Sequence, residues 1–240
     1  MDVTLETKCW ERDWVAVLCP DRLRRLTTMN RCAFAERVVM INNVSDYGRV
    51  AECAERVVKA GALDRFVVVK DFAAEALEFF NLTADSFGSG YVYSIAELVG
   101  IYTCRTPFLL HFAGDCMPTD ACDWVPKAIA AFDATPQLRV ANLTWNGRYD
   151  QAAVESESRD ADFYYGFGFS DQNYLVRTAD FRDPIYGETH AAAARYPAYG
   201  GELFEKRVDS WMRNHGYLRA TYKHASYEHV TQGIRQSDGR

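Results

Sequence analysis

The sequence predicts an α/β protein with a mostly parallel central sheet that is flanked by helices. Three short runs are mostly apolar, namely 37–41 (RVVMI), 66–70 (FVVVK) and 107–112 (PFLLHF). Helical segments of roughly 10–15 residues separate these runs, and strands that are apolar on both faces are typical of a buried parallel sheet. We expect one domain, because 240 residues are enough for a single well-buried core.

The other elements of the first half complete this pattern. A short strand is predicted at 3–7, and helices at 20–35, 47–60, 73–80 and 89–104, from apolar residues at helical spacing. The carboxyl ends of parallel strands meet at one edge of a sheet, where ligands bind. The polar residues that follow the strands are therefore the first candidates for a site: Thr7, Lys8, Asn42, Asn43, Asp71 and Asp115.

The second half is more mixed. Helices are predicted at 122–132 and 202–215, and strands at 138–145, 173–177 and 218–222. The stretch 146–172 is interpreted as a long loop rich in aromatic residues, and long loops in compact domains are often functional. The polar segment 231–240 is predicted to be a flexible tail.

Composition excludes some classes of protein. The net charge is -6, which argues against a general nucleic-acid binder, because such proteins present a basic face. An anionic ligand would need a metal ion or a few placed cations. No apolar stretch approaches the roughly 20 residues that span a bilayer. The seven scattered cysteines form no CxxC pair, which favours reduced thiols and a cytoplasmic protein.

Asp115 comes directly after a buried strand, in a turn that contains Gly114 and ends at Pro118. A carboxylate in this position either caps backbone donors of the turn or binds a metal ion. The segment PFLLHFAGDCMP resembles the DxD region of GT-A glycosyltransferases, particularly the large inverting family two. Ala113 stands where that family has its first Asp.

The resemblance extends over about residues 1–230 and implies a Rossmann-like GT-A fold with a nucleotide-diphospho-sugar donor. It implies that Asp115 binds Mn²⁺ or Mg²⁺, a hard cation that neutralises charge on the leaving diphosphate, and that Gly114 contacts the nucleotide. It further divides the chain into a nucleotide-binding half (1–118) and an acceptor half (119–230). The loss of the first Asp at Ala113 puts strict metal dependence in question.

Two more strand ends carry the resemblance. Asn42 and Asn43 begin a segment similar to the family's Asp-Asp-Gly-Ser, which implies contacts with the base. The alternative is a plain strand-to-helix turn in which Ser45 or Asp46 caps the helix. Thr7 and Lys8 fall where the family's first strand meets the nucleotide.

The segment GGELFEKRVDSWMRNHG resembles the family's acidic pair at the start of a helix. Glu205 takes the position of the general base of an inverting transfer, and Glu202, one turn earlier, is expected on the same helix face. The alternative is that both acids only complement the helix dipole. Family members also bring a C-terminal His to the metal, which implies that role for His229.

Asp171 and Gln172 lie in a loop that in this family meets the donor sugar or the acceptor. They are candidates for hydrogen bonds to sugar hydroxyls, and Trp145 for stacking on a sugar face. An Asx-type turn with core aromatics is the alternative interpretation.

Three functions stay open at this point. The first is a glycosyltransferase that acts on a saccharide or small-molecule acceptor, as in polysaccharide biosynthesis. The second is a nucleotidyltransferase, which is disfavoured because residues 7–13 contain no glycine to grip a triphosphate. The third is a GT-A-like binding module without catalysis, suggested by Ala113 and by Phe204 beside Glu205.

Overall fold

The computed structural model describes residues 2–197 and 200–229, so the tail expected at 231–240 lies outside the described residues. The strands are β1 (Val3–Cys9), β2 (Glu36–Ile41), β3 (Arg65–Val68), β4 (Phe108–Phe112), β5 (Cys116–Pro118), β6 (Leu138–Trp145), β7 (Ser156–Arg159), β8 (Phe163–Gly166), β9 (Asn173–Arg177) and β10 (Leu218–His229). The α-helices are α1 (Trp14–Val17), α2 (Pro20–Met29), α3 (Tyr47–Lys59), α4 (Val69–Phe79), α5 (Tyr91–Thr103), α6 (Trp124–Ala134), α7 (Tyr149–Val154), α8 (Thr178–Arg182) and α9 (Phe204–Asn214). Short 3-10 helices cover Ala84–Gly90, Ile185–Gly187 and Ala191–Arg195.

One sheet runs through both halves of the chain, in the order β3-β2-β1-β4-β9-β6-β10-β8-β7, and β5 pairs with β10. The first four strands are all parallel, with β1 between β2 and β4. Their central residues are buried on both faces because α-helices cover the sheet on each side. The predicted α/β class, with a central sheet flanked by helices, is confirmed.

The second half of the sheet departs from the parallel pattern. Strand β9 lies antiparallel between β4 and β6, and β10 is parallel to β6 but antiparallel to β8 and β5. Strand β10 contains a three-residue irregularity between Tyr222 and Ser226. Before it, β10 pairs with β8; after it, β10 pairs with β5, which places His229 opposite Cys116.

The expected loop over 146–172 is wrong. It contains α7 and an antiparallel pair of strands, β7 and β8, which extend the sheet beyond β10. Strand β7 is polar and mostly exposed, so it carries no alternation of apolar residues. Pairing with β8, not a local pattern, makes it a strand, and such pairing is invisible in the sequence of the segment.

Two predicted boundaries also change. Helix α2 ends at Met29 because the side chain of Asn30 donates to the Leu26 carbonyl at 2.8 Å and accepts from Trp124 Nε1 at 2.8 Å, and because Arg31 has a φ of 42°. Strand β3 ends at Val68, so Asp71 lies exposed in the first turn of α4 rather than at a strand end.

The cysteines and the helices agree with two further expectations. All seven cysteines fall within the described residues, and none of them forms a disulfide. In the described part of the chain, every helix is too short or too polar to cross a bilayer.

Candidate active site

A cleft of about 260 Å³ opens where β1, β2 and β4 end. It is lined by Lys8, Cys9, Trp10, Asp13, Asn42, Asn43, Val92, Tyr93, Ala113, Gly114, Asp115, Asp171, Gln172 and His229. The parallel strands deliver their carboxyl ends to this edge. Most of the residues that the sequence singled out are therefore gathered in one place.

Lys8 is the cationic side chain that lines the cleft, and it forms an ion pair with the buried Glu97. Its Nζ is ion-paired with the Glu97 carboxylate and lies 3.9 Å from Asp171 Oδ2. Burial alone would lower the Lys8 pKa, but the charges of Glu97 and Asp171 raise it above its ordinary value. Glu97 is fully buried, and its Oε2 has no hydrogen-bond partner among the described residues. Lys8 is thus a fixed positive charge beside the cleft.

Asn42 and Asn43 form the wall of the cleft at the end of β2. Their side-chain nitrogens both donate to the Val92 carbonyl, at 3.3 and 2.7 Å. The amide nitrogens are thereby used within the protein. The amide oxygens are the atoms that remain to accept hydrogen bonds from a ligand.

A buried pair supports the strands beneath the cleft. His111 Nδ1 lies 2.9 Å from Glu6 Oε1, and the His111 ring stacks on Tyr174 with centroids 4.8 Å apart. Burial raises the pKa of Glu6 to about 8 and lowers the pKa of His111 to about 4. At neutral pH the two groups are therefore uncharged and share one hydrogen bond, which ties β1 to β4.

The side chains of Asp115, Cys116 and His229 form a cluster whose ligand atoms lie within 4.8 Å of one another. The Nε2 of His229 is buried and has no hydrogen-bond partner among the described residues. Burial raises the pKa of the Cys116 thiol well above its ordinary value, so this sulfur stays protonated. A carboxylate and a neutral imidazole suit Mn²⁺, and carboxylate oxygen suits Mg²⁺. Asp115 and His229 therefore fit a divalent cation, whereas the thiol does not.

Asp13 is a second carboxylate in this part of the cleft, and the sequence analysis did not select it. It is only 7% exposed, and its Oδ1 accepts from the Trp10 backbone N–H at 2.8 Å. Burial raises its pKa to about 6, and the negative charge of Asp115 adds to the rise. Asp13 stands close to Gly114, in the region where Ala113 leaves the DxD pattern without its first acid.

Gly114 allows this close packing. A Cβ at position 114 would overlap the Lys8 carbonyl oxygen and come within 2.9 Å of Asp13 Oδ2. We expect Gly114→Ala to lower the free energy of unfolding by about 1–3 kcal/mol through overpacking. Urea unfolding measures this change, with Gly187→Ala as control, since a Cβ there meets nothing within 4 Å. Equal stability of the two variants would contradict the tight contact.

Glu205 lies behind Asp171, in the first turn of α9. The helix start is fixed by Ser94 on α5, whose Oγ accepts from the Phe204 backbone N–H at 2.8 Å. The Asp171 backbone donates a hydrogen bond to the Glu205 carboxylate. Burial raises the Glu205 pKa to about 8, and the nearby Asp171 charge contributes. With this pKa, Glu205 is mostly protonated at neutral pH and loses its proton as the pH rises through about 8.

Five predicted site residues do not line the cleft: Glu205, which lies behind Asp171, and four that lie elsewhere. Thr7 points to the opposite face of β1 and lines a small crevice under α2, while Asp71 is exposed on α4. Glu202 precedes α9, pairs with Lys206 and lines a separate groove, so the expected shared helix face with Glu205 is absent. Trp145 lies in a neighbouring pocket that shares Gln172 with the cleft.

Two residues of the site escaped the sequence analysis, although each left a signal. Glu97 is a lone acid among the buried residues of α5 (YVYSIAELVGIYT), and a charge in an apolar helix needs a partner. Asp13 lies shortly after the first strand, at the edge where ligands were expected.

Comparison with known proteins shows the fold. No family model and no curated protein sequence matches the chain. The solved structure of GalNAc-T7 with UDP, GalNAc and Mn²⁺ is similar, with a TM-score of 0.55 and 8% identity over 95% of this chain and 44% of that one. A mycobacterial protein gives a TM-score of 0.52 and 12% identity, covering 95% and 67% of the two chains.

S. aureus TarS (residues 1–349) gives a TM-score of 0.50 and 12% identity, over 98% of this chain and 62% of TarS. The chain thus spans less than two thirds of TarS and of GalNAc-T7. These likenesses confirm the GT-A fold that the sequence motifs implied.

Proposed function

We propose that this protein is a metal-dependent glycosyltransferase that moves a sugar from a nucleotide-diphosphate donor to a hydroxyl acceptor with inversion. The observation that carries the proposal is the cleft at the strand ends of a GT-A fold. It combines a fixed cation, a carboxylate–imidazole pair and, behind Asp171, a carboxyl group with a pKa of about 8.

The nucleotide occupies the side of the cleft formed by β1 and β2. Asn42 and Asn43 accept hydrogen bonds from the base through their amide oxygens, and Gly114 lets the backbone approach the nucleotide. Lys8 neutralises part of the diphosphate charge, and this charge grows as the sugar leaves.

Asp115 and His229 would hold Mn²⁺ or Mg²⁺, which would supply positive charge to balance the negative charge of the leaving diphosphate. Asp13 supplies the second carboxylate that Ala113 cannot provide. It lies directly before α1 and not in the segment that resembles the DxD region. The solved GalNAc-T7 contains UDP and Mn²⁺, which makes this pair the first to test.

Asp171 and Gln172 bind hydroxyls of the donor sugar at the inner end of the cleft. Glu205 is the general base: it takes the proton of the acceptor hydroxyl as that oxygen bonds to the anomeric carbon and the bond from this carbon to the phosphate oxygen breaks. The first half of the chain (1–118) thus binds the nucleotide, and the second half (119–230) provides the base and the acceptor site. We propose a cytoplasmic location and a role in building a polysaccharide or a smaller glycoside.

Calorimetric titration with UDP, GDP and dTDP, with and without Mn²⁺, tests the proposal. We expect one nucleotide to bind in a metal-dependent way, and Asp115→Asn to weaken that binding by at least about tenfold, or 1.4 kcal/mol. Asp85→Asn is the control, because Asp85 is exposed and lies outside the cleft.

Two outcomes would count against the proposal. If the folded protein binds none of the three nucleotides, the cleft is not a nucleotide-sugar site. If a nucleotide binds equally well with and without Mn²⁺, and Asp115→Asn changes nothing, the chain is a binding module that does not use a metal.

A further inference from the structure

A second pocket of about 210 Å³ lies beside the cleft. Gln172 lines both spaces, and the Tyr227 hydroxyl in the second pocket donates to Gln172 Oε1 at 2.9 Å. A molecule in the second pocket would therefore lie next to the group that occupies the inner end of the cleft. Its lining also includes Trp145, Arg195 and Arg219.

Two guanidinium groups converge in this pocket. Arg195 Nη2 lies 2.5 Å and Arg219 Nη1 lies 3.0 Å from the position that a Cβ on Gly168 would occupy. Gly168 has a φ of 117°, so both its backbone conformation and the space beside it exclude a side chain. The arginine side chains are brought together where only a glycine lets them approach.

The surrounding carboxylates do not fully pair these two charges. Arg219 is 7% exposed, and its nearest carboxylate oxygen is Glu155 Oε2 at 4.0 Å. The Nε of Arg219 is buried and has no hydrogen-bond partner among the described residues. Arg195 Nη2 lies 3.7 Å from Asp209 Oδ1, too far for a hydrogen bond, and the other oxygen of Asp209 accepts from Arg213 Nε at 2.9 Å. Arg195 is more exposed and also donates to the Tyr196 hydroxyl at 3.1 Å, so Arg219 is the less well paired of the two. A buried cation that lacks a close acceptor is costly, and an anionic ligand removes that cost.

The second pocket also fixes the orientation of the Arg219 guanidinium group. The Arg219 guanidinium lies over the Trp145 ring, 5.1 Å from the centroid, and such stacking holds the planar group in place. A fixed guanidinium fork matches the two oxygens of a phosphate or a carboxylate.

We propose that this second pocket binds an acidic group of the acceptor, so that the substrate that receives the sugar carries a phosphate or a carboxylate near its reacting hydroxyl. The inference rests on the proposed function for the meaning of acceptor, but the anion site itself does not. Arg219 and Arg195 bind the oxyanion, Trp145 positions Arg219, and Gln172 lies between the two substrates.

Calorimetric titration of the whole chain with inorganic phosphate and with acetate tests the site and distinguishes the two anions. We expect one or both to bind, and Arg219→Met to weaken binding by at least about tenfold. Arg195→Met should have the same direction of effect. Because Arg195 is more exposed than Arg219, it serves as the second variant if Arg219→Met does not fold.

Arg139→Met is the matched control. Arg139 also stacks on an aromatic ring, with its guanidinium 4.0 Å from the Tyr217 centroid, and lies 3.6 Å from an Asp180 oxygen. It belongs to the start of β6, whereas Trp145 is at the opposite end of this strand. We expect anion binding by Arg139→Met to equal that of the wild type.

Other binding results would overturn the anion site or separate it from the proposed function. If neither anion binds the wild type, or if binding is lost in Lys8→Met but kept in Arg219→Met, the second pocket is not an anion site. Nucleotide binding measured on the same samples separates the proposals: intact nucleotide binding with no anion binding overturns only the acceptor site. Anion binding that depends on Arg219, without nucleotide binding, supports the site and counts against the glycosyltransferase.

Discussion

Glu205→Gln is expected to lower kcat by about 10²–10⁴-fold while nucleotide affinity stays nearly unchanged. The amide keeps the size of the side chain and can still accept the hydrogen bond from the Asp171 backbone, but it cannot take a proton. Sugar transfer to a hydroxyl acceptor, followed as nucleotide release, measures the change. If Glu202→Gln, rather than Glu205→Gln, abolishes transfer, Glu205 is not the base.

The pH dependence provides a second readout of the same residue. A base must be deprotonated in the free enzyme, and burial together with the Asp171 charge raises the Glu205 pKa to about 8. We therefore expect kcat/KM to rise with pH until about pH 8 and then to level off. The residual activity of Glu205→Gln should lack this rise. Wild-type activity that falls between about pH 6 and about pH 8 would contradict the assignment.

The raised pKa of Glu205 also makes the free energy of unfolding depend on pH. The folded protein holds the Glu205 proton more tightly than the unfolded chain does, so this contribution is fully present below the ordinary pKa of 4.5. It is lost as the pH rises through about 8. Glu6, whose pKa burial also raises to about 8, acts in the same direction. Glu205→Gln should reduce the fall in unfolding free energy over this range.

Lys8→Met is expected to have the largest effect on stability, a loss of about 3–5 kcal/mol. Glu97 is fully buried and pairs with Lys8, so the substitution leaves a carboxylate without its cation. Burial already raises the Glu97 pKa, and without Lys8 the pKa rises further. The difference in unfolding free energy between Lys8→Met and the wild type should therefore become smaller as the pH falls and Glu97 takes up a proton. Urea unfolding at low and high pH measures both effects.

The double variant Lys8→Met/Glu97→Gln separates the structural role of Lys8 from its role in binding. It removes both charges of the pair, so we expect most of the lost stability to return. Nucleotide affinity should remain low, because the cation of the cleft is still missing. A double variant that binds nucleotide as well as the wild type would show that Lys8 only supports the fold. A double variant no more stable than Lys8→Met would show that the Glu97 charge is not the cause of the loss.

The sequence predicts the part of the site that depends on local pattern. Asn42, Asn43 and Asp115 follow runs that are apolar on both faces, and parallel strands bring such ends together. His229 was reached only through the family resemblance. Its approach to Asp115 depends on the irregularity in β10 and on the pairing of β10 with β5, and no local sequence pattern predicts either of them.

Other assignments needed tertiary contacts that a linear pattern does not contain. The run FVVVK predicts one continuous strand with Asp71 at its end, whereas α4 begins at Val69 in the structure. The packing of the Arg219 guanidinium over the Trp145 ring is likewise a contact between residues far apart in the sequence. The hairpin of β7 and β8 exists because β10 offers a pairing edge, which lies more than 50 residues along the chain from β7.

The irregularity in β10 determines to which face of the sheet each side chain in the last segment of the strand points. Side chains alternate between faces, so a change of one residue reverses every orientation that follows. Residues 223–225 are the extra length between the two paired segments of β10. Inserting one residue there would bring Glu228 to the position that His229 occupies opposite Cys116, and would so place a carboxylate instead of an imidazole at the Asp115 cluster. The length of a stretch outside the cluster therefore decides whether an imidazole or a carboxylate faces Asp115, so a change of one residue there would alter which cations the cluster suits.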